Sequence, residues 1–560
     1  MDEKVDPCND FYGFACGKFL HEASLLDNDK KLDRMLGGSV DIETLNQQIR
    51  SIFEDEIQSN DLKAIKNIKN YYKICTNKTL VEEQGLEPLH NILREFGGWP
   101  VLYADKSIGS DVSWMDSVYK SRKLGYPLAS FITLKIGIDP KNSTHRVLQL
   151  DQAYFVLSEK YLFRGEDVPL VKWYLSFMID IAEMLGAPKE RAEIEMREAL
   201  QFEISLAKIS HRKERGHNAT ELYKMTTVRE LIREFPSIPW LDYINRLLAS
   251  NVIVAEDEPV MVPVSPYIAG LEKLLKETSN RTLANYAIWR VVKRSIGYLN
   301  RQIRRIEGRY QSLFDDMYPD AVSGVPGLDD CVSLVLQYFG FAVGALYERL
   351  HLNKDLKERA REVTSNIRRE FERVLLTVNW MDKDTKDAAL EKARSMRQHI
   401  GYPDDLVQDL KIEEYYRNFS VDPESSFLHA SLSILRSVQD ENFWGLREPV
   451  GPNEWNYDLD PIDTSASYYG ELNSMVLRAY SFQGEHLKPG IPNYVSYGTI
   501  GTIVGHEMMH AFHDLDSQFD EAGYITKLGT NNNTRAEFKE RVRCLINQAN
   551  NYTFTGDSMK

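Results

Sequence analysis

Gly505-His506-Glu507-Met508-Met509-His510-Ala511 is the stretch on which the reading of this chain turns. Its two histidines lie four residues apart. On an α-helix residues i and i+4 share a face, so His506 and His510 can offer two imidazoles to one metal ion. Glu507 follows the first histidine, at the edge of that face, where a carboxylate can hold and deprotonate a metal-bound water. The flanks predict a helix: Ile500, Ile503 and Val504 fall at helical spacing, with Gly498 and Gly501 ahead of the motif. Zinc suits this donor set, one ion per chain. The bland alternative is two histidines on the polar face of an ordinary helix. The rarity of histidine, 12 in 560 residues, weighs against it.

Two imidazoles do not complete a catalytic zinc site, which takes three protein ligands and an open position. Six residues after His510 stands Asp516, not a third histidine. His513 shares the helical face, but seven residues of helix span about 10 Å at 1.5 Å per residue. Three donors cannot converge on one ion from a straight helix. Downstream, Glu521, Glu537 and Glu540 remain, and none has an aspartate four residues on. The expectation is an unusual third ligand or one beyond Lys560.

Composition sets wider bounds. At 560 residues, 43% hydrophobic and 27% charged, the chain has an ordinary globular balance and length for two or more domains. A net charge of -15 speaks against nucleic acid or an anionic membrane surface as partner. Met1-Asp2-Glu3-Lys4 leads straight into polar sequence, with no signal-peptide pattern. The best candidate for a membrane span, 331–346, is short and carries Ser333 and Gln337, so it is read as a buried helix. Asn-x-Ser/Thr triplets at Asn77, Asn142, Asn218, Asn280, Asn418, Asn532 and Asn551 fit an exported, glycosylated chain. Five cysteines, Cys8, Cys16, Cys75, Cys331 and Cys544, imply in such a chain a free thiol or partners elsewhere.

Hydrophobic periodicity predicts amphipathic helices over 44–60 and 62–74, then strands over 129–136 and 146–156 across a polar turn holding Asn142. Helices follow over 169–209 and 227–250, a short extended pair over 252–255 and 259–262, and long helices over 265–312, 329–349 and 355–378. A break at Ile400-Gly401-Tyr402-Pro403-Asp404-Asp405 precedes a mixed connector. The expected division is 6–405 as an N-terminal helical domain, 406–460 as connector and 461–560 as a partial catalytic domain.

Four stretches, in order, carry a resemblance. They are Asp6-Pro7-Cys8 with Phe14-Ala15-Cys16-Gly17, then Cys331 with Ala342-Val343-Gly344-Ala345-Leu346-Tyr347. Next come Asn379-Trp380-Met381-Asp382-Lys383-Asp384-Thr385-Lys386 with Ile400-Gly401-Tyr402-Pro403-Asp404, and Tyr497-Gly498 through Phe512. Together they resemble the neprilysin and endothelin-converting-enzyme family of zinc metallopeptidases. The resemblance implies a mainly α fold with small β elements, a two-lobed ectodomain around a central cavity that admits peptides. It implies zinc held by His506 and His510, and cleavage of small extracellular peptides by Glu507-assisted attack of zinc-bound water. It also implies an extracellular protein, secreted or attached to a membrane only through an N-terminal anchor. By the same likeness Cys75 pairs with Cys331, whereas Cys8, Cys16 and Cys544 pair with a C-terminal segment that would also bring the third zinc ligand. On that expectation residues 1–560 alone would bind zinc weakly and cleave poorly.

The chain also departs from the family pattern. On the substrate-pairing edge strand it has Ser465-Ala466-Ser467-Tyr468 where the family has Asn-Ala-x-Tyr, so Ser465, Ala466 and Tyr468 are candidate substrate contacts with a weakened side-chain grip. The following segment, 476–486, brings in Arg478, Ser481, Gln483 and Glu485 where the family is apolar. After the motif, His513-Asp514 replaces Asp-Asp, leaving Asp514 as the candidate support for the zinc ligands. A non-catalytic peptide-binding relative is the rival reading.

Overall fold

The computed structural model describes residues 2–24, 42–105, 113–139, 141–210, 224–249, 251–263, 265–317, 331–402, 407–451, 466–478, 487, 490–512, 520, 522 and 532–551. Over these residues the chain is mainly helical, with two small sheets. The amphipathic windows fold as helices that are cut at turn-forming residues. The 169–209 window is two helices, Pro169–Met184 and Lys189–Ile209. Between them Gly186 takes φ 107°, and Pro188 cannot continue the first helix. The 265–312 window is three, Ser265–Glu277, Asn280–Ser295 and Arg301–Met317. The Ser279 side chain starts the second by accepting from Thr282 N. The 227–250 window likewise divides into Val228–Glu234, opened by a Thr227/Glu230 capping box, and Trp240–Leu247.

The first sheet runs β1 (Thr133–Asp139), β2 (Asn142–Asp151), β4 (Pro259–Met261), β3 (Met225–Thr227) in spatial order. β1 and β2 form the expected hairpin, with Leu134 opposite Leu150. The expected pairing of 252–255 with 259–262 does not form. β4 instead runs parallel to β2 and antiparallel to β3. Asn245 takes the place of a strand partner for Val254: its side-chain oxygen accepts from Val254 N at 2.9 Å and its amide donates to Val254 O at 3.1 Å. The second sheet runs β5 (Arg397–Ile400), β7 (Ser474–Leu477), β6 (Ala466–Tyr469). β5 and β7 are parallel, β7 and β6 antiparallel, and β6 is an edge.

Two main cores hold the described residues, with a third, minor cluster of Leu375, Ala389, Leu390 and Ala393 between helices Lys354–Thr377 and Lys383–Ser395. The large one gathers the helices from Ile42–Phe53 to Cys331–His351 around Tyr71, Trp99, Trp289 and Phe339. The smaller joins Ala360 and Val363 to Met396, Ile400, Met475, Leu477, Ile500, Val504 and Met508. The chain changes core more than once. Helix Lys354–Thr377 and β5 belong with the small core, whereas Tyr402 and helix Phe427–Trp444 return to the large one. Helix Cys331–His351 is long and apolar enough to cross a membrane, yet 78% of its apolar window is buried inside the fold, so it is a core helix. Its Cys331 is bonded to Cys75 of helix Lys63–Thr76, with Cα atoms 5.8 Å apart, as expected. Cys8, Cys16 and Cys544 are free thiols.

Candidate metal centre

Helix Ile500–His510 carries the motif. Ile500, Val504, Met508 and Ala511 recur at helical spacing and bury one face against the small core. That burial turns His506 and His510 outward on a common side. Their Nε2 atoms are 3.1 Å apart, with the ring planes at 85°. Two nitrogens bound tetrahedrally at about 2.1 Å to one zinc would lie about 3.4 Å apart, a few tenths of an ångström from the observed separation, so the pair fits a shared ion. Glu507 is buried beside them. Ligand atoms of His506, Glu507 and His510 all lie within 4.8 Å of one another, the metal-holding cluster found among the described residues. Burial pushes the Glu507 carboxyl above its ordinary value, and the charges of His506 and Arg478 pull it part of the way back.

Strand β6 packs Ala466 and Tyr468 against the same small core as the histidine helix. Tyr468 is thereby committed: its hydroxyl donates to Asn473 Oδ1 at 2.9 Å. Asn473, buried at φ 41°, closes the β6–β7 hairpin in the left-handed conformation that asparagine tolerates. Its side-chain amide donates to Lys392 O at 3.1 Å. Arg478, at the end of β7, is buried and donates to Ser467 Oγ at 3.3 Å. Ser465 and Asp514, and the alternative ligands His513 and Glu521, lie outside the described residues. Glu537 and Glu540 sit exposed on helix Asn532–Ala549, and Glu537 is paired there with Arg541.

That helix is held by a contact that periodicity could not reveal. Asp382 accepts from the hydroxyls of Thr385 and Thr534, and Asp382 N donates to Thr534 Oγ1 at 3.1 Å. Trp380 stacks loosely on Phe538 and lies under the Arg541 guanidinium. The Asn379-to-Lys386 stretch thus has a job: it docks the helix that follows the metal centre. Of the glycosylation candidates, Asn77, Asn280, Asn418 and Asn551 are exposed and Asn142 is half-buried. Asn218 lies outside the described residues, and nothing is described of the Asn532 side chain.

Comparison with known proteins adds three results. Family models described as peptidase family M13 match residues 7–403 and 465–558. The chain is 34% identical to Neprilysin-2 of Drosophila melanogaster, over 99% of this chain and 72% of that protein. It is 28% identical to Endothelin-converting enzyme 1 of Rattus norvegicus, over 100% of this chain and 71% of that protein. Among solved structures, an inhibitor complex of the Mycobacterium tuberculosis zinc metalloprotease Zmp1 superposes with a TM-score of 0.77. It covers 91% of this chain and 74% of that one at 20% identity, a likeness of fold. PepO from Lactobacillus rhamnosis gives a TM-score of 0.73 at 18% identity, over 90% of this chain and 76% of that one.

Proposed function

The chain belongs to peptidase family M13, and from that premise we propose that it is a zinc-dependent endopeptidase of small extracellular peptides with Glu507 as its general base. The observation that carries this reading is the facing pair of Nε2 atoms with the Glu507 carboxylate in the same cluster. His506 and His510 hold the zinc, one ion per chain. Bound there, zinc supplies a Lewis acid that polarises a carbonyl and acidifies water. Glu507 takes the proton of the attacking water and passes it to the leaving amine. An extended peptide aligns along β6, pairing its backbone with the strand's main chain at Ala466, the recognition mode that an open sheet edge allows. Ser465, next to it in sequence, brings a hydroxyl, and Asp514 is the proposed carboxylate support of the zinc ligands. A disulfide and exposed acceptor asparagines support an extracellular setting.

The test uses the full-length protein with His506→Ala and His510→Ala beside it. Wild type should carry one zinc by elemental mass spectrometry and cleave members of a mixed peptide library. Each variant should lose both properties while keeping a wild-type circular dichroism spectrum. Zinc retained in full by both variants would place the metal elsewhere. A wild-type protein that holds zinc but cleaves nothing would favour the rival, a peptide-binding relative.

A further inference from the structure

Lys392, on helix Lys383–Ser395, has no solvent exposure at all. A fully buried ammonium is costly unless its donors are used. This one donates at 2.7 Å to the carbonyl of Ala511, the residue that caps the C-terminus of the histidine helix. His510 is the last helical residue before that cap. The end of a helix leaves unpaired carbonyls and a partial negative charge, and a cation placed there both satisfies and neutralises them. The ammonium also lies 6.0 Å from the ring centre of Tyr468 and 5.8 Å from that of Phe512. Phe512 in turn packs on Phe371, ring centres 5.0 Å apart. The backbone carbonyl of Lys392 accepts from Asn473 Nδ2, and Asn473 Oδ1 accepts from the Tyr468 hydroxyl. One residue therefore touches the end of the helix that carries His510, the hairpin turn behind β6, and a ring of β6 itself.

We propose that Lys392 is a positioning residue. By capping the last turn of the histidine helix and fixing it to the β6–β7 hairpin, it holds the His510 imidazole in register with His506 and with the peptide-pairing edge. The inference rests on the zinc reading above, but concerns a residue that touches neither metal nor peptide. A metal site needs its ligands held to a fraction of an ångström, and the groups that orient ligands matter for that reason. The histidine pair is at the C-terminal end of a short helix, where fraying starts, so its geometry depends on what anchors that end.

Lys392→Met keeps the length and removes the charge and donors. Lys392→Arg keeps a cation with donors, and Lys392→Gln keeps a neutral donor that does not reach. Zinc affinity would be measured by chelator competition, ligand geometry by the visible spectrum of the cobalt-substituted protein, and kcat and KM separately. We expect K392M to weaken zinc binding about 10- to 100-fold, the range typical for loss of a group that orients a ligand. Its cobalt bands should shift and kcat should fall, whereas the bond from Asn473 to the Lys392 carbonyl is to the main chain and survives the substitution, so KM should change less than kcat. Arginine should recover part of the zinc affinity that glutamine does not. K392M, or K392Q where K392M does not fold, binding zinc as tightly as wild type with an unchanged cobalt spectrum would overturn the proposal and leave the peptidase reading intact. Wild type without zinc at the histidines would overturn both.

Discussion

Gly344 lacks a side chain because Tyr402 fills the space: a Cβ built there would lie 2.2 Å from the Tyr402 hydroxyl oxygen. The two residues belong to separate stretches that carried the family resemblance, and the structure shows that those stretches meet. Tyr402 goes on to link helix Cys331–His351 to helix Lys354–Thr377. Its hydroxyl donates to Gly340 O, its N–H donates to Glu348 Oε2, and its carbonyl accepts from the buried Lys357. Gly344→Ala should therefore destabilise the protein by about 1–3 kcal/mol, the usual cost of overpacking a tight core. Denaturant unfolding of wild type and variant would measure it, and an unchanged midpoint would mean that the contact is slack. At this scale the sequence was legible where chemistry is local. His506, Glu507 and His510 announce themselves by spacing. Lys392 and Asn473 do not, because each acquires its role from a partner brought near only by the fold. Spacing likewise hid that the Tyr468 hydroxyl is spent on Asn473.

The helix Asn532–Ala549 shows what an element owes to one polar contact. Hydrogen bonds from the Thr534 and Thr385 hydroxyls hold the Asp382 carboxyl down at about 2, against an ordinary 3.8. A carboxyl whose pKa is depressed by folding contributes stability above its unfolded value and loses it as pH falls through the folded one. Docking of this helix should thus be fully formed above about pH 4 and weaken as pH drops toward 2. Thr534→Val removes a donor, so its helix should exchange amide protons faster at neutral pH and loosen at a higher pH on acidification. Hydrogen exchange read by mass spectrometry over 532–549 would report both, and equal protection in wild type and variant would contradict the assignment. Elements were the most legible level, since amphipathic periodicity marks helices directly. Their ends were less so: Gly186 and Pro188 cut one window, and Asn245 removed a strand pairing by taking both backbone groups of Val254.

Across the whole molecule, the one disulfide among the described residues ties helix Lys63–Thr76 to the long core helix over a sequence separation of 256. Replacing both Cys75 and Cys331 by serine should cost about 2–4 kcal/mol, because so long a loop is then free in the unfolded chain. Thermal and denaturant unfolding would check it. The architecture, a helical molecule with small sheets, followed from periodicity and from the family resemblance that the ordered motifs carry. The interleaving of the two cores did not, because Tyr402 and Phe427–Trp444 return to the large core by tertiary packing that no local pattern encodes. What the two main cores frame is a helix whose outward face carries two imidazoles, with a buried carboxylate beside them and β6, the edge strand among the described residues, packed against it. The claim that this face hydrolyses peptides is tested most directly by Glu507→Gln in the full-length protein, with bound zinc and peptide cleavage measured on the same sample. The account predicts one zinc per chain, as in wild type, with cleavage reduced by a factor of about 100 or more, the contribution expected of a positioned acid–base group. A zinc-loaded variant cleaving at the wild-type rate would contradict it.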